Sequence, residues 1–278
     1  MAANLPSIEA ILTIAREAGA LAKTMQRDVS LSVKQDGSVV TEADISANNL
    51  IIRALKRLTP DIPIISEENP EQENQKILME ARDVWAIDPL DVTANYAAGG
   101  NTYSINIARI TDGIPVMGVL YFPGLSELYY TGDDGKAYKQ LGKDAPRIIH
   151  VAPVSSAIPT AAVRPEGHAS HAPVSENTLK VIFTRGQRRA CLVATGEATF
   201  SSERDGFRIW DSAPTYAIVL AAGGAIQKHD GSSLRYNVSL ELPAYFVGHP
   251  DLLRYLHKVE PAESITEKPL SAKKRKNA

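Results

Sequence analysis

The feature that most constrains this chain is a short apolar segment that ends in two closely spaced carboxylates. Residues 84–87 are all apolar and predict a buried strand, which ends at Asp88 and is followed by Pro89, Leu90 and Asp91. The proline stiffens the backbone between the two acids, so both side chains and the Leu90 carbonyl can point at one position. Oxygen ligands of this kind suit a hard cation such as Mg²⁺.

Other acidic residues also stand where an apolar run ends or a helix begins. They are Glu42, Asp44, Glu67, Glu68 and Asp211. For any one of them a helix cap is the ordinary explanation, as for Asp44 before a helix predicted from Ile45. The pair at the end of the strand is harder to explain as a cap. It is followed by Thr93, where residues 92–95 are predicted to begin a helix whose N–H groups face an anion.

Two hairpin signals predict an antiparallel, strand-rich first half. Residues 103–110 and 114–122 flank an Asp-Gly turn, and a second Asp-Gly turn lies at Asp134-Gly135. The second half alternates helical and extended patterns, which predicts an α/β unit. We therefore divide the chain into an N-terminal α+β subdomain, residues 1–152, and a C-terminal α/β subdomain, residues 153–278.

The periodicity of apolar residues predicts the individual elements. Predicted helices begin at Ser7 and Ile45 and, further on, cover residues 187–195, 210–222 and about 250–257. Short predicted strands cover residues 160–163, 225–227 and 244–247.

The composition excludes several classes of protein. A net charge of −2 over 278 residues argues against binding to a nucleic-acid polymer. Because Cys191 is the single cysteine, an internal disulfide and a thiolate metal cluster are excluded. We expect its side chain to be buried and to pack in the core. Because the chain lacks a signal-like N-terminus and a long apolar stretch, we expect a cytoplasmic protein without a transmembrane segment, with peripheral attachment at the inner membrane as the alternative. The basic residues 273–276 are expected to be a solvated end.

At this point four segments carry a family resemblance. Residues 88–93, Asp-Pro-Leu-Asp-Val-Thr, resemble the D-P-[IL]-D-G-T motif of the inositol monophosphatase superfamily. Members of this superfamily are Mg²⁺-dependent, lithium-sensitive phosphomonoesterases. Three further segments match family motifs in the expected order: residues 34–44 (K-x-D-x-S-x-V-T-x-A-D), 66–68 ([GS]-E-E), and 210–213 with 223–224 (W-D-x-A…G-G).

The resemblance implies a fold and a set of site residues. The fold is α+β, a layered α-β-α-β-α sandwich of the inositol monophosphatase and fructose-1,6-bisphosphatase type. The implied ligands of two or three Mg²⁺ ions are Glu67, Asp88, the Leu90 carbonyl, Asp91 and Asp211. Asp44 and Thr93 are the implied catalytic pair that orients and deprotonates the attacking water, and the backbone at Val92 and Thr93 is the implied phosphate cradle.

Val92 departs from the family motif, which has glycine at this position. Glycine is used where φ is positive or where a ligand approaches the backbone closely, and a β-branched residue suits neither role. Either the backbone here is ordinary, or the phosphate cradle is strained or partly closed. We therefore hypothesise a reduced phosphate affinity.

Two substrate classes remain open. The spacing of residues 34–44, the Ser-Glu-Glu form and residues 234–236 resemble bacterial 3′(2′),5′-bisphosphate nucleotidases, which release the 3′-phosphate of adenosine 3′,5′-bisphosphate. Residues 93–96 and 191–196 are closer to inositol monophosphatases. Substrate selection is expected at Glu203, where inositol enzymes carry a glutamate and nucleotidases a basic residue, and at the adjacent Arg204. We favour the nucleotidase.

A third alternative belongs to a different class of protein. The chain would then be a non-catalytic relative that binds metal and a phosphorylated ligand, an idea motivated by Val92. The retained acidic residues oppose it, since a scaffold has no need for all of them. In each alternative the partner is a small phosphorylated metabolite, and the protein is a monomer or a homodimer.

Overall fold

The computed structural model describes residues 6–27, 29, 31–33, 39–154, 160–163, 180–184 and 186–256. The helices in this part of the chain are α1 (Ile8–Met25), α2 (Glu42–Leu58), α3 (Glu71–Glu80), α4 (Thr93–Ala97), α5 (Arg188–Ala194), α6 (Ile209–Ala221) and α7 (Pro250–Leu256). None of them combines the length and the apolar character that a bilayer-spanning helix needs.

The first large sheet is formed by consecutive stretches of the chain. A short antiparallel ribbon, β1 (Leu31–Val33) and β2 (Val39–Thr41), precedes it. The described strands of the first large sheet, in spatial order, are β3 (Ile64–Ser66), β4 (Asp83–Asp91), β5 (Ser104–Thr111), β6 (Ile114–Phe122), β7 (Glu127–Thr131), β8 (Ala137–Leu141) and β9 (Arg147–Ile148). Only β3 and β4 are parallel among these pairs.

Both predicted hairpins are confirmed. The β5–β6 turn places Asp112 and Gly113 at φ values of 49° and 74°, which is the backbone that an Asp-Gly pair favours in a two-residue hairpin loop. The β7–β8 turn likewise has Gly135 at a φ of 76°.

The two faces of β4 pack against different helices. Trp85 and Ile87 belong to a core with α1 and α2, whereas Val84 and Ala86 belong to a core that includes α5 and α6. Because side chains alternate along a strand, Asp88 lies on the α6 side of the sheet. This alternation therefore determines which layer the carboxylate faces.

A second sheet completes the layers. Its described strands, in spatial order, are β11 (Lys180–Phe183), β10 (Thr160–Val163), β12 (Phe200–Glu203), β16 (Tyr245–Gly248) and β14 (Ala225–Lys228), beside a small pair of β13 (Phe207–Arg208) and β15 (Glu241–Leu242). Helices α5 and α6 lie between the two sheets, and α7 packs on the far face of the second sheet. The expected α-β-α-β-α sandwich is confirmed, while the division at residues 152 and 153 stays a prediction.

Two predicted boundaries were wrong. Helix α2 begins at Glu42 rather than Ile45, because Thr41 and Asp44 form a capping box that starts the helix three residues earlier. Strand β4 does not end at Asp88 but continues through an irregular register to Asp91. The predicted motif residues 34–38 and the basic residues 273–276 lie outside the described residues.

The contact between α6 and the first sheet depends on Gly118 of β6. A Cβ at this position would overlap the backbone of Pro214 in α6. We expect Gly118→Ala to push α6 away from the sheet and to lower the free energy of unfolding by about 1–3 kcal/mol, as overpacking does. Urea denaturation measures this change, and an unchanged midpoint would contradict the close packing.

Candidate active site

Three aspartates from two elements converge at the edge where β4 meets α6. Carboxylate oxygens of Asp88, Asp91 and Asp211 all lie within 4.8 Å of one another. Asp88 and Asp91 come from the irregular end of β4, and Asp211 comes from the first turn of α6. Helix α6 packs across the sheet and brings Asp211, more than a hundred residues away in sequence, to the other two.

The hydrogen bonds of these carboxylates leave oxygens free for a cation. Asp88 Oδ1 accepts from the Leu90 N–H at 3.0 Å, and Asp211 Oδ2 accepts from the Arg208 N–H at 2.9 Å. The Oδ2 atoms of Asp88 and Asp91 are buried and have no hydrogen-bond partner among the described residues. Buried, unsatisfied carboxylate oxygens are costly unless a positive ion binds them, so this donor set fits Mg²⁺.

Burial and mutual repulsion both act on the cluster. Burial, followed by the charges of Glu67, Asp91 and Asp211, holds the pKa of Asp88 well above its ordinary value. Burial also raises the pKa of Asp211, with Asp91 and Glu67 adding to the effect. Glu67 directly follows β3, and its N–H donates to the Ile87 carbonyl at 3.2 Å. The predicted ligands thus act on one another as a single charged cluster.

Asp44 and Thr93 are in direct contact, as their predicted pairing requires. Asp44 Oδ2 accepts from the N–H and the hydroxyl of Thr41, which fixes the carboxylate. The Thr93 hydroxyl lies 3.1 Å from Asp44 Oδ1 and 3.0 Å from the Leu90 carbonyl oxygen. Burial raises the pKa of Asp44. Asp44 therefore completes the capping box that Thr41 begins, and it also reaches the site.

Val92 has a strained backbone. The sequence left open whether the backbone at this position is ordinary or strained, and the structure has the strained form. Its φ of 63° and ψ of 45° place it in the left-handed region, where a β-branched residue is an outlier. Its side chain occupies the space that a Cβ at Gly186 would need. The family glycine is thus replaced by valine without a change to the glycine-type backbone.

Glu203 and Arg204 differ sharply in their surroundings. Glu203 is buried, and both of its carboxylate oxygens accept from the guanidinium of Arg189 in α5. Arg204 is exposed in the turn after β12. The sequence reasoning missed Arg189, although two adjacent arginines in an otherwise apolar helix are an unusual pattern.

Cys191 is buried in the same helix, as expected, and burial raises the pKa of its thiol.

The raised pKa values predict how Mg²⁺ stabilisation depends on pH. In the metal-free protein the unfolded carboxyls ionise near their ordinary pKa, but folded Asp88 and Asp211 ionise only at higher pH. The folded state therefore binds more protons, and its stability falls as pH rises above that ordinary value. A bound cation would remove this penalty, so we expect Mg²⁺ to increase Tm more at pH 8 than at pH 5.

Thermal melts with Mg²⁺ and with a chelator measure this difference. Asp88→Asn is expected to raise the metal-free Tm at pH 8 and to abolish most of the Mg²⁺ increment, because it removes one buried charge. An increment of equal size at both pH values would contradict the prediction.

Comparison with known proteins gives consistent matches along the chain. A model of the inositol monophosphatase family matches residues 4–260. The 3′(2′),5′-bisphosphate nucleotidase CysQ of Buchnera aphidicola is 32% identical over 241 residues, which is 84% of this chain and 88% of that protein. The CysQ of Salmonella typhimurium is also 32% identical over 241 residues, 82% of this chain and 93% of that protein.

Solved structures share the same fold. CysQ from Bacteroides thetaiotaomicron superposes with a TM-score of 0.70 at 23% identity, covering 87% of this chain and 96% of that one. An inositol monophosphatase (IMPase) from Thermotoga maritima also gives 0.70 at 20% identity, covering 90% and 95%. With its layers, its acidic cluster and these matches, the chain belongs to the inositol monophosphatase family.

Proposed function

We propose that this protein is a Mg²⁺-dependent 3′(2′),5′-bisphosphate nucleotidase, which converts adenosine 3′,5′-bisphosphate to AMP and phosphate. The observation that carries the proposal is the convergence of the Asp88, Asp91 and Asp211 carboxylates beside the Asp44–Thr93 pair. The curated relatives that carry the nucleotidase name support the choice of substrate.

The acidic cluster supplies the place for the metal. Glu67, Asp88, the Leu90 carbonyl, Asp91 and Asp211 would hold two or three ions. When bound, Mg²⁺ neutralises the phosphate and lowers the pKa of water. This chemistry does not require a His, Ser or Cys nucleophile.

The Asp44–Thr93 pair handles the proton of the attacking water. Thr93 donates its hydroxyl proton to Asp44 Oδ1, so a lone pair on Thr93 Oγ1 is free to accept a hydrogen bond from water. As the water attacks phosphorus, its proton passes to Thr93 Oγ1 and the hydroxyl proton passes to Asp44. Burial raises the pKa of Asp44, which makes it a stronger base than an exposed aspartate.

The Arg189–Glu203 pair favours a nucleotide over an inositol phosphate. A glutamate that recognises sugar hydroxyls must have oxygens free to accept hydrogen bonds. Both oxygens of Glu203 already accept from Arg189. The position therefore has less capacity for inositol hydroxyls than an unpaired glutamate would have.

Other properties follow from the same proposal. We expect inhibition by lithium, a cytoplasmic location and either a monomeric or a homodimeric state. The backbone at Val92 and Thr93 would form the phosphate cradle, with Glu203 and Arg204 at the substrate-selecting side.

A substrate panel tests the proposed function. Phosphate release is measured with and without Mg²⁺ from adenosine 3′,5′-bisphosphate, inositol 1-phosphate and fructose 1,6-bisphosphate. We expect the highest kcat/KM for the first. Asp91→Asn should reduce it by more than the ~10–100-fold typical of residues that only support metal ligands, whereas Asp112→Asn, an exposed change at a hairpin turn, should leave it unchanged.

Each contrary outcome of the panel identifies an alternative. Preference for inositol 1-phosphate would establish the second substrate class. Absence of Mg²⁺-dependent release from all three compounds would favour the non-catalytic relative and overturn the proposal.

Val92→Gly tests the strained cradle. Glycine adopts the left-handed backbone without strain and lets a phosphate approach it more closely. We expect KM to fall by about three- to tenfold, roughly 1 kcal/mol of binding. Steady-state kinetics with adenosine 3′,5′-bisphosphate measure this, and unchanged kcat and KM would show that Val92 does not limit phosphate binding.

A further inference from the structure

Asn106 lies beside the acidic cluster, although it belongs to none of the four sequence motifs. It is on β5 directly opposite Asp88 of β4, on the face of the sheet that α6 covers. Its exposed fraction is 0%. A fully buried amide requires partners for both its oxygen and its nitrogen.

The neighbours of Asn106 leave one direction for its nitrogen. Its Oδ1 accepts from the Ser104 hydroxyl at 2.8 Å, and Ser104 is itself opposite Asp91. Its cross-strand neighbour on the other side, on β6, is the apolar Leu120. The side chain of Asn106 also lies within interacting distance of the Asp91 carboxyl, so its Nδ2 atom faces the carboxylates of β4.

Three buried polar atoms at this edge of the sheet lack a hydrogen-bond partner in the part of the chain that the structure describes. Asn106 Nδ2, Asp88 Oδ2 and Asp91 Oδ2 have no hydrogen-bond partner among the described residues. One is a donor and two are acceptors, so a small rotation of a carboxylate would satisfy the donor. The remaining carboxylate oxygens would then be left for a cation.

We propose that Asn106 is a positioning residue for the metal site: its amide donates to one oxygen of Asp91 and so directs the other oxygen to the metal. The amide already lies beside that carboxyl. Burial raises the pKa of Asp91, and Asn106 is among the groups that oppose this increase, with the Val92 N–H and the Arg189 cation.

The chemistry of an amide suits this position. A lysine or arginine would also donate to Asp91, but its charge would repel the cation that the cluster binds. An aspartate would add another anion to a cluster that already repels itself. A neutral donor orients the ligand without changing the charge of the site, and hydrogen bonds of this kind commonly support metal ligands.

The proposal rests on the metal site of the proposed function, and it is tested without substrate. Mn²⁺ binding to the chelator-treated full chain is followed by electron paramagnetic resonance, with Mn²⁺ as the probe for Mg²⁺. The variants are Asn106→Leu, which removes the donor, and Ser104→Ala, which frees the amide to rotate. Thr59→Val is the matched control, since Thr59 is a buried residue that accepts from Trp85 Nε1 at 2.9 Å, in a different part of the core.

The expected results separate positioning from packing. Asn106→Leu should weaken Mn²⁺ affinity about tenfold and shrink the Mn²⁺-induced rise in Tm. Its metal-free Tm should also fall, because the buried Ser104 hydroxyl loses its acceptor, so the Mn²⁺ affinity and the Mn²⁺-induced rise in Tm are the readouts that report on positioning. Ser104→Ala should show a smaller loss of affinity, and Thr59→Val should lower Tm equally with and without metal.

Two contrary outcomes have different meanings. If Asn106→Leu and Ser104→Ala bind Mn²⁺ as tightly as the unaltered protein does, Asn106 is a packing residue and the inference is overturned, whatever the change in the metal-free Tm. If the unaltered protein binds no Mn²⁺, the inference and the metal-dependent function both fail.

Discussion

The repulsion among crowded carboxylates where the end of β4 meets α6 is the interaction on which the functional part of this structure depends. Asp88, Asp91 and Asp211 lie within 4.8 Å of one another, and burial and mutual charge keep the pKa values of Asp88 and Asp211 high. Such a cluster lowers the stability of the fold at neutral pH unless a cation binds. The same oxygens that destabilise the metal-free protein are therefore the ones that make it a metal site.

The layered fold holds this cluster together against its repulsion. Helix α6 packs between the two sheets, close against Gly118, and its first turn carries Asp211. Burial of an apolar face on each sheet supplies the free energy that positions the charged end of the helix. Asp44 is held in a comparable way, because the capping box that begins α2 also fixes the carboxylate that contacts Thr93.

Two positions show how residues of this chain depart from what the family motifs imply. Val92 keeps the left-handed backbone that glycine would adopt without strain, and its side chain lies against Gly186. Glu203 is paired with Arg189 in the core, so its charge is already compensated by the protein. Both features lie at positions that we propose to contact the substrate rather than the metal, which is where members of one family are expected to differ.

The sequence by itself predicted the local elements and supplied the candidate metal-binding residues. Apolar periodicity predicted the hairpins and most helices, because these patterns depend on neighbours a few residues apart. The resemblance of four motifs to one family implied the roles of the acidic residues and Thr93, since the chemistry of a carboxylate or hydroxyl belongs to the residue itself.

Only the tertiary structure decided which side chains meet. The register of β4 against β5 places Asn106 opposite Asp88, and nothing in the local sequence specifies that pairing. The sequence likewise did not specify the partner of Glu203, and it did not decide between an ordinary and a strained backbone at Val92. Contacts of this kind depend on long-range packing, in which residues far apart in the chain become neighbours.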